Sequence, residues 1–329
     1  MHRVFRNIAA AVLSAFVLAA APAVSAAPPK VVVGTTMWIG YAPLFVAVDQ
    51  KLFKAHGITV DLRVFSDGSV VLPAVATKSL DLGTVTYDML AGQVDQGLKL
   101  KAVFPIDYSN GGDAMVVDKS VKSLKDLKGK IVAFNELTPS EILLAYFLQK
   151  EGMTMADIKP VNIPAEQVGA ALLAGTAFAG VTYEPHITEV IKKDKKKSFV
   201  VKFTSKEAPG LISDFFVASH DGIANRRADF DAFFKGYLDG IASMKKSPAK
   251  AVKSIAKQMG ISEAEVKEQL PLVQIVDGPQ LKSMMTDGGS DLSIFKTAPV
   301  IIETLKAKGQ LKSDTMIADT VDASFVQGF

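Results

Sequence analysis

Short runs of β-branched and aromatic residues alternate with helical patterns over the first part of the chain. From residue 30 onward these runs read VVVGTT, ITVDLRVF, LDLGTV and LKAVFPI. Between them, apolar residues recur three and four positions apart, which is typical of amphipathic helices. Strands that alternate with helices in this way predict right-handed crossovers and a mostly parallel sheet. We expect the first helix to run from Pro43 to His56 and to end at Gly57.

A second series of the same kind follows, and the pattern then changes. The runs AMVV, KIVAF, VNIP, FAGV and SFVVKF alternate with helical patterns as far as FFVAS, which ends at residue 219. Beyond it we find helices without convincing strands, and these must pack on the first unit. The sequence predicts an α/β, two-lobed fold in which helices flank a mostly parallel sheet in each lobe. The predicted first lobe comprises 27–113 and 219–329, and the second 114–218.

The first 26 residues have the features of a secretory signal. Arg3 and Arg6 precede an apolar run at 8–21, and Pro22 and small residues follow it. That run has 14 residues, whereas a membrane-spanning helix needs about 20. Because no cysteine is present to carry a lipid, we expect a freely diffusing periplasmic protein.

Composition argues against several classes of function. Removal of the signal lowers the formal charge from +3 to +1, which gives no electrostatic reason to expect a nucleic-acid partner. Without cysteine there is no thiol nucleophile and no zinc–thiolate site. The patterns HExxH and GxSxG and the phosphate-binding loop are also missing. We therefore expect no enzymatic activity, no cofactor and no metal.

Aromatic and acidic residues recur in the loops where ligands of open α/β sheets bind, beyond the carboxyl ends of the strands. The candidate ligand-binding residues are Trp38, Tyr41, Asp67, Ser69, Thr86, Tyr87, Asp88, Asp107, Tyr108, Thr138, Ser140, Tyr183 and Glu184. Aromatic faces attract cations by about 0.5 to 2 kcal/mol, and carboxylates pair with ammonium groups. An amine-bearing ligand fits this set, and its anionic end would bind at the helix N-terminus near Thr138.

Other interpretations of the same residues stay open. Asp67, Thr86, Thr138 and Glu184 could cap helices, which is worth about 1 kcal/mol for a good cap. Trp38 and Tyr41 could belong to a core between the lobes, and Asp113 could hold a hinge. If Trp38 forms a wall of the site, Trp38→Ala should weaken binding at least tenfold, about 1.4 kcal/mol, with little change in the melting temperature.

Several motifs in order resemble those of one family. They are WIGYAPL at 38–44, Ala76 with Leu80, Asp81 and Gly83, DYSNGGDA at 107–114, SLKDLKGK at 123–130 and Glu184-Pro185. Across the mature chain they resemble the periplasmic solute-binding proteins of the nitrate, sulfonate and taurine (NMT1-like) group of ABC importers. The resemblance implies a type II periplasmic binding fold that closes on a small solute. It also implies delivery of the solute to an inner-membrane permease and its ATPase.

One departure from the family bears on the ligand. Members commonly have Trp before Glu-Pro, where this chain has Tyr183, and the mature chain's three arginines lie outside the cleft loops. Both features argue against nitrate. A taurine- or sulfonate-like solute with an amine is favoured, and an aminopyrimidine of the thiamine-precursor type is the alternative. A ligand sensor that acts with a separate membrane receptor also stays open. We expect a monomer.

Overall fold

The structure is a computed structural model that describes residues 27–312 and 316–329. The predicted signal at 1–26 lies outside the described residues and stays a prediction. No helix within the described part combines the length and apolar character needed to cross a bilayer.

The strands and helices follow the alternation that the hydrophobic pattern predicts. In chain order the strands are β1 (Lys30–Thr35), β2 (Thr59–Val64), β3 (Leu82–Thr86), β4 (Leu100–Ser109), β5 (Asp113–Asp118), β6 (Ile131–Phe134), β7 (Lys159–Asn162), β8 (Ala179–Tyr183), β9 (Phe199–Thr204), β10 (Ser213–Ser219) and β11 (Val273–Ile275). The α-helices are α1 (Ala42–Asp49), α2 (Val71–Ala76), α3 (Tyr87–Asp95), α4 (Pro139–Lys150), α5 (Ala165–Leu173), α6 (His186–Lys193), α7 (His220–Asn225), α8 (Arg227–Lys246), α9 (Pro248–Met259), α10 (Glu263–Gln269), α11 (Pro279–Met284) and α12 (Ile294–Ala307).

The first sheet has the strand order β11-β4-β10-β3-β1-β2. Strand β1 pairs in parallel with β2 and β3, whereas β10 pairs antiparallel with both β3 and β4. Strands β1 to β4 therefore all run in one direction. The antiparallel pairs arise because β10 and β11 run opposite to the other four strands.

The second sheet has the order β7-β6-β8-β5-β9. Strand β6 pairs in parallel with β7 and β8, and β5 lies antiparallel between β8 and β9. Helices flank both sheets, which confirms the predicted α/β, two-lobed fold. Strand β10 is internal in the first sheet, and strand β5 is internal in the second. The chain enters each of them directly after crossing from the other sheet.

The sheet pairing corrects the second predicted boundary. The prediction assigned residues up to 218 to the second lobe, but β10 pairs with β3 and β4 in the first sheet. The second crossing is therefore the segment 205–212. Every residue of β10 is buried, and a fully buried apolar run fits the middle of either sheet, so its composition alone does not reveal which sheet it joins.

Two further predictions were wrong in detail. The part of the chain after β10 does contain a strand, because β11 adds to the edge of the first sheet beside β4. The helix predicted from 43 to 56 is two pieces: α1 ends at Asp49, and a short 3-10 helix spans Leu52–His56. Lys51 between them has φ 58, a left-handed conformation that cannot continue an α-helix.

The long helix α8 anchors the last third of the chain on the first lobe. Its rings Phe234 and Tyr237 pack against Phe104 of β4 and Phe216 of β10. Helices α8 and α9 also contact α1. Helix α8 thus buries aromatic residues on the first sheet.

Candidate functional site

The two lobes enclose a cavity of about 210 Å³, which we call the interlobe cavity. Residues from the ends of β1, β3, β5, β8 and β10 and from the loops before α4 and α5 reach it. Its polar and aromatic lining includes Thr36, Trp38, Tyr41, Ser66, Asp67, Thr84, Thr86, Asp113, Asn135, Thr138, Glu166, Tyr183 and Asp214. Residues from both lobes line this one space.

Six of the thirteen candidate residues line the interlobe cavity. They are Trp38, Tyr41, Asp67, Thr86, Thr138 and Tyr183. Each lies at the start of a helix or at the end of a strand. These are the positions at which ligands of open α/β sheets are expected to bind. Their role as ligand contacts stays a prediction.

Trp38 is held firmly although it lines a cavity. It is only 5% exposed, and its Nε1 donates a hydrogen bond to Asp107 Oδ1 at 3.1 Å. Two glycines make room for the ring: a Cβ at Gly40 would lie 2.3 Å from Trp38 Nε1, and one at Gly112 would lie 2.6 Å from Trp38 Cη2. Trp38 is therefore buried between the lobes and also lines the cavity, and its contact with a ligand stays a prediction.

The aromatic walls of the two lobes meet across the cleft. The rings of Trp38, from the first lobe, and Tyr183, from the second, are 6.0 Å apart at 86°, an edge-to-face contact. His186 packs edge-on against the other side of Tyr183 at 5.3 Å. Tyr183 is thus fixed between the cavity and helix α6.

We call the part of the cavity lined by Tyr41, Thr86, Asp113 and Asp214 the cavity floor. A hydrogen-bonded pair of buried groups forms its first-lobe side. The Tyr41 hydroxyl donates to Asp214 Oδ1 at 2.5 Å. Burial, together with the charges of Asp214 and Asp107, raises the pKa of Tyr41 well above its usual value, so the phenol remains a donor. Burial raises the pKa of Asp214 to about 8; the hydrogen bond from Tyr41 opposes this shift, and the charges of Asp113 and Asp88 add to it.

Asp113 is the second buried acid of the floor. It is 3% exposed, and its Oδ2 atom has no hydrogen-bond partner within the described part of the chain. Burial raises its pKa to about 7; the Ser109 hydroxyl lowers it, and the charges of Asp88 and Glu184 raise it further. A buried carboxylate oxygen without a donor is costly, so this atom needs a proton or an external partner.

The charged residues that line the interlobe cavity are all acidic. They are Asp67, Asp113, Glu166 and Asp214, and no Lys, Arg or His is among the described lining residues. Arg226 pairs instead with Asp81 and Asp229. The described residues also contain no cluster of three or more His, Cys, Asp or Glu side chains suited to a metal ion. The cavity therefore suits a cationic group better than an anion.

Two candidate residues face a different space. Ser69 and Asp88 line a neighbouring hollow of about 60 Å³, which shares Thr138 and Met89 with the lining of the interlobe cavity. The Ser69 hydroxyl donates to Asp67 Oδ2 at 2.8 Å, so it orients a cavity residue. Burial raises the pKa of Asp88 to about 6.

Glu184 and Tyr87 do not line the interlobe cavity because other groups occupy their polar atoms. The backbone N–H and the hydroxyl of Thr188 each donate to a Glu184 oxygen at 3.0 Å, so Glu184 caps the start of α6. The Tyr87 hydroxyl is 2.9 Å from Thr320 Oγ1, and its ring packs on Phe215. Of the open alternatives, capping describes Glu184 and also Asp67, whose Oδ1 accepts the Ser69 N–H at 2.9 Å.

The remaining candidates lie beneath the lining. Asp107 is fully buried, accepts the hydrogen bond of Trp38 and does not line the cavity. Tyr108 is half-buried opposite Gln274 in the β4–β11 pairing. Ser140 is buried in the first turn of α4. These three support the cavity residues or the core.

Three cavity acids were not among the candidates. For Asp113 the sequence left a hinge role open, and for Asp214 and Glu166 it predicted no role in the site. Asp214 is the second residue of β10, after Ser213 and before the run FFVAS. An acid at the start of a buried strand was the available signal, since ionisable groups are rarely fully buried without a partner.

Comparison with known proteins places the chain in a family. Residues 38–251 match the family described as "NMT1/THI5 like". A provisionally named binding protein of Brucella abortus (strain 2308) is 23% identical over 282 residues, which cover 83% of this chain and 85% of the relative. The taurine-binding periplasmic protein of Escherichia coli (strain K12) is 24% identical over 224 residues, which cover 66% and 69%.

Solved structures share the fold. The alkanesulfonate-binding protein SsuA from Xanthomonas axonopodis pv. citri, bound to MOPS, superposes with a TM-score of 0.74 at 20% identity, covering 91% of this chain and 100% of that one. At this identity the similarity establishes the architecture alone. The family match spans well over half of the chain, from Trp38 to Ala251, so this protein belongs to the NMT1/THI5-like family.

Proposed function

We propose that the protein is the periplasmic substrate-binding component of an ABC importer and encloses a small solute between its lobes. The observation that carries this proposal is the interlobe cavity, lined from both lobes and walled by Trp38 and Tyr183. Two chain crossings, at 110–112 and 205–212, join the lobes. Short crossings of this kind act as hinges in domains that close around ligands.

The cavity's charge favours a solute that bears an amine. Four carboxyl groups and no described basic side chain line it, whereas nitrate and simple sulfonates carry only negative charge. A taurine-like zwitterion could place its anionic end at the N-terminus of α4, where Thr138 lines the cavity. The Thr138 hydroxyl donates back to Asn135 O and does not cap α4. Pro139 has no N–H, and the N–H groups of Glu141 and Ile142 donate to Thr138 O, so Ser140 N–H is the first-turn donor that could reach an anion.

An aminopyrimidine is the second candidate ligand. The specific observation in its favour is the ring surface of Trp38 and Tyr183 beside the carboxyl groups, which suits a flat ring with an exocyclic amine. After loading, the closed protein would deliver its solute to an inner-membrane permease coupled to an ATPase. A sensor would use the same cavity but would signal through a separate receptor. We propose a monomer in either case.

Native mass spectrometry of freshly purified protein tests the proposal by weighing any co-purified solute. Calorimetry with taurine, alkanesulfonates, nitrate and aminopyrimidines then ranks ligands. Because Trp38 is the chain's single tryptophan, its fluorescence should change when a ligand enters the cavity. Absence of a bound solute and of a fluorescence response across the panel would argue against the proposal, and conversion of a bound compound would indicate an enzyme.

A further inference from the structure

Two neighbouring polar groups of the cavity floor lack a well-formed hydrogen bond. Asp113 Oδ2 has no partner among the described residues, and neither does Thr86 Oγ1. The Thr86 hydroxyl lies near enough to Asp88 to lower its pKa, but not in regular hydrogen-bond geometry. Both residues are more than nine-tenths buried, and both line the interlobe cavity. Native proteins leave few buried polar atoms unsatisfied, so such atoms in a cavity mark a place for a ligand.

A third group completes the arrangement. Asp214 is the Cα partner of Thr86 in the β3–β10 pairing, so both lie at the same level of the first sheet. Asp113 begins β5 of the second sheet, and its charge raises the pKa of Asp214. Asp214 Oδ1 accepts a hydrogen bond from the Tyr41 hydroxyl. The floor therefore offers acceptors from both lobes.

The groups around this floor supply little positive charge. Besides burial, the charges of Asp88, on α3, and Glu184, just after β8, raise the pKa of Asp113. The charge of Asp113 in turn adds to the effect of burial in raising the pKa of Asp107 on β4. Tyr41 and Tyr183 line the same cavity as neutral phenols, since burial raises the pKa of both. Glu166 and Asp67 line the rest of the cavity. No cation among the described residues that line the cavity offsets these acids.

We propose that Asp113, Asp214 and Thr86 form a subsite for the protonated amine of the ligand, and that the empty subsite holds a proton which the amine displaces. This inference rests on the proposed function, since it requires that a solute occupies the interlobe cavity. It adds to the proposed function the groups that bind the solute's positive charge and the proton that leaves when the solute binds.

The chemistry of an ammonium group matches the subsite. An ammonium has three N–H donors and no acceptor, and the floor presents Asp113 Oδ2, an Asp214 carboxyl and the Thr86 hydroxyl as acceptors. Charge-assisted bonds to carboxylates are roughly twice as strong as neutral ones. The bound cation stabilises the ionised carboxyl group and lowers its pKa. A carboxyl proton therefore passes to solvent as the amine binds, and the net charge of the subsite is unchanged.

A matched series of small probes tests this subsite. The probes are 3-aminopropanesulfonate, propanesulfonate and propylammonium, measured by Trp38 fluorescence and by calorimetry at pH 7 in phosphate and in triethanolamine, a bulky buffer whose cation has a single N–H donor. We expect 3-aminopropanesulfonate to bind at least tenfold more tightly than propanesulfonate. We also expect the binding enthalpy to differ between the two buffers by an amount that corresponds to the release of a fraction of a proton.

Isosteric variants complete the test. Asp113→Asn and Asp214→Asn should each reduce the preference for the amine at least tenfold and abolish the difference between buffers. The exposed Asp287→Asn makes the same chemical change away from the interlobe cavity and should leave both unchanged. Circular dichroism melting of each variant confirms folding, and the comparison of probes on the unmodified protein requires no variant.

The outcomes separate the subsite from the proposed function. If propanesulfonate binds as tightly as its amino analogue, or if Asp113→Asn keeps the amine preference, the subsite is wrong while solute binding stands. If no probe binds and native mass spectrometry finds no solute, both proposals fail. Tight amine binding with proton release that both Asn variants remove would establish the subsite.

Discussion

Two glycines determine where the tryptophan of the cavity wall lies. Gly40 and Gly112 approach the Trp38 ring so closely that any added Cβ would lie within 3 Å of it. The same ring donates to Asp107, which ties the wall to the buried acids below. The position of Trp38 in the site therefore depends on two glycines, which have no side chain, as well as on the hydrogen bond to Asp107.

Gly40→Ala should displace Trp38. Its Cβ would lie 2.3 Å from both Asp107 Oδ2 and Trp38 Nε1, so these two side chains, which are hydrogen-bonded through Asp107 Oδ1, must shift. We expect a shifted tryptophan emission spectrum and ligand binding weakened at least tenfold. Gly92→Ala in α3 is the control, since nothing lies within 4 Å of its added Cβ and alanine favours a helix. Unchanged emission in Gly40→Ala would contradict this account of Trp38.

Trp38→Ala should affect stability as well as binding. The sequence alone suggested little change in melting temperature, but the side chain is 95% buried and hydrogen-bonded. Large-to-small changes of this kind cost about 3 to 5 kcal/mol, and Asp107 would also lose its donor. We therefore expect thermal melting of the unliganded variant well below that of the unmodified protein, together with weaker binding. A normal melting temperature would show that the ring packs more loosely than the structure indicates.

Helix α12 joins the two lobes beside the interlobe cavity. It contacts α3 of the first lobe and α4 of the second. Lys308, directly after α12, forms a buried ion pair with Glu141 of α4, and Gln310 Nε2 donates to the same carboxylate at 3.0 Å. At the scale of secondary-structure elements, the C-terminal segment thus stabilises the arrangement in which the lobes lie close together.

Lys308→Met should favour separation of the lobes. It leaves the Glu141 carboxylate buried without a cation, and loss of one partner of a buried pair typically costs about 3 to 5 kcal/mol. We expect a larger radius of gyration by small-angle X-ray scattering and ligand binding weakened several-fold. Lys192→Met is the control, because the Lys192–Glu265 pair at 2.9 Å also joins α6 to α10 but has an exposed lysine. Equal effects of the two variants would contradict a specific role for the buried pair.

The whole molecule concentrates its strongly shifted acids at the junction of the lobes. Burial raises the pKa of Asp88 to about 6, of Asp113 to about 7 and of Asp214 to about 8. The Glu265 carboxylate on the surface moves the other way, to about 2, because Lys192 and the backbone N–H of Ser262 stabilise its ionised form. The interior of the cleft and the outer surface therefore respond to pH in opposite directions.

The unliganded protein should lose stability as pH rises through this range. An acid whose pKa is raised on folding stabilises the folded state fully below about pH 4 and loses that contribution as pH passes its folded pKa. His186 and His220 have lowered pKa values and act in the opposite direction, so the comparison must isolate the acids. We expect Asp113→Asn to become more stable than the unmodified protein between pH 6 and 9, on the order of 1 kcal/mol or more.

Urea unfolding at each pH measures that difference. Ligand binding should show the complementary trend, with affinity for an amine rising from pH 6 to 8 as the subsite loses its proton. A stability difference that does not change with pH would mean that Asp113 is already ionised in the unliganded protein.

The amino-acid sequence was enough to predict the alternation of strands and helices, the motifs of the family and the loops that reach the cleft. Those features are local, because periodicity, helix caps and turn residues act over a few positions. They sufficed to place Trp38, Tyr41, Asp67, Thr86, Thr138 and Tyr183 at the cavity. The signal at 1–26 also rests on the sequence alone.

Which acids face the cavity follows from the three-dimensional arrangement of the strands and not from the sequence pattern. Asp88 and Glu184 lie in the predicted loops, yet one faces a neighbouring hollow and the other caps α6, whereas Asp113 and Asp214 form the floor. The direction of a side chain at the end of a strand depends on pairing and on where the next helix begins. Those features are set by contacts between residues far apart in the chain, such as the pairing of β10 with β3, and a local pattern does not contain them.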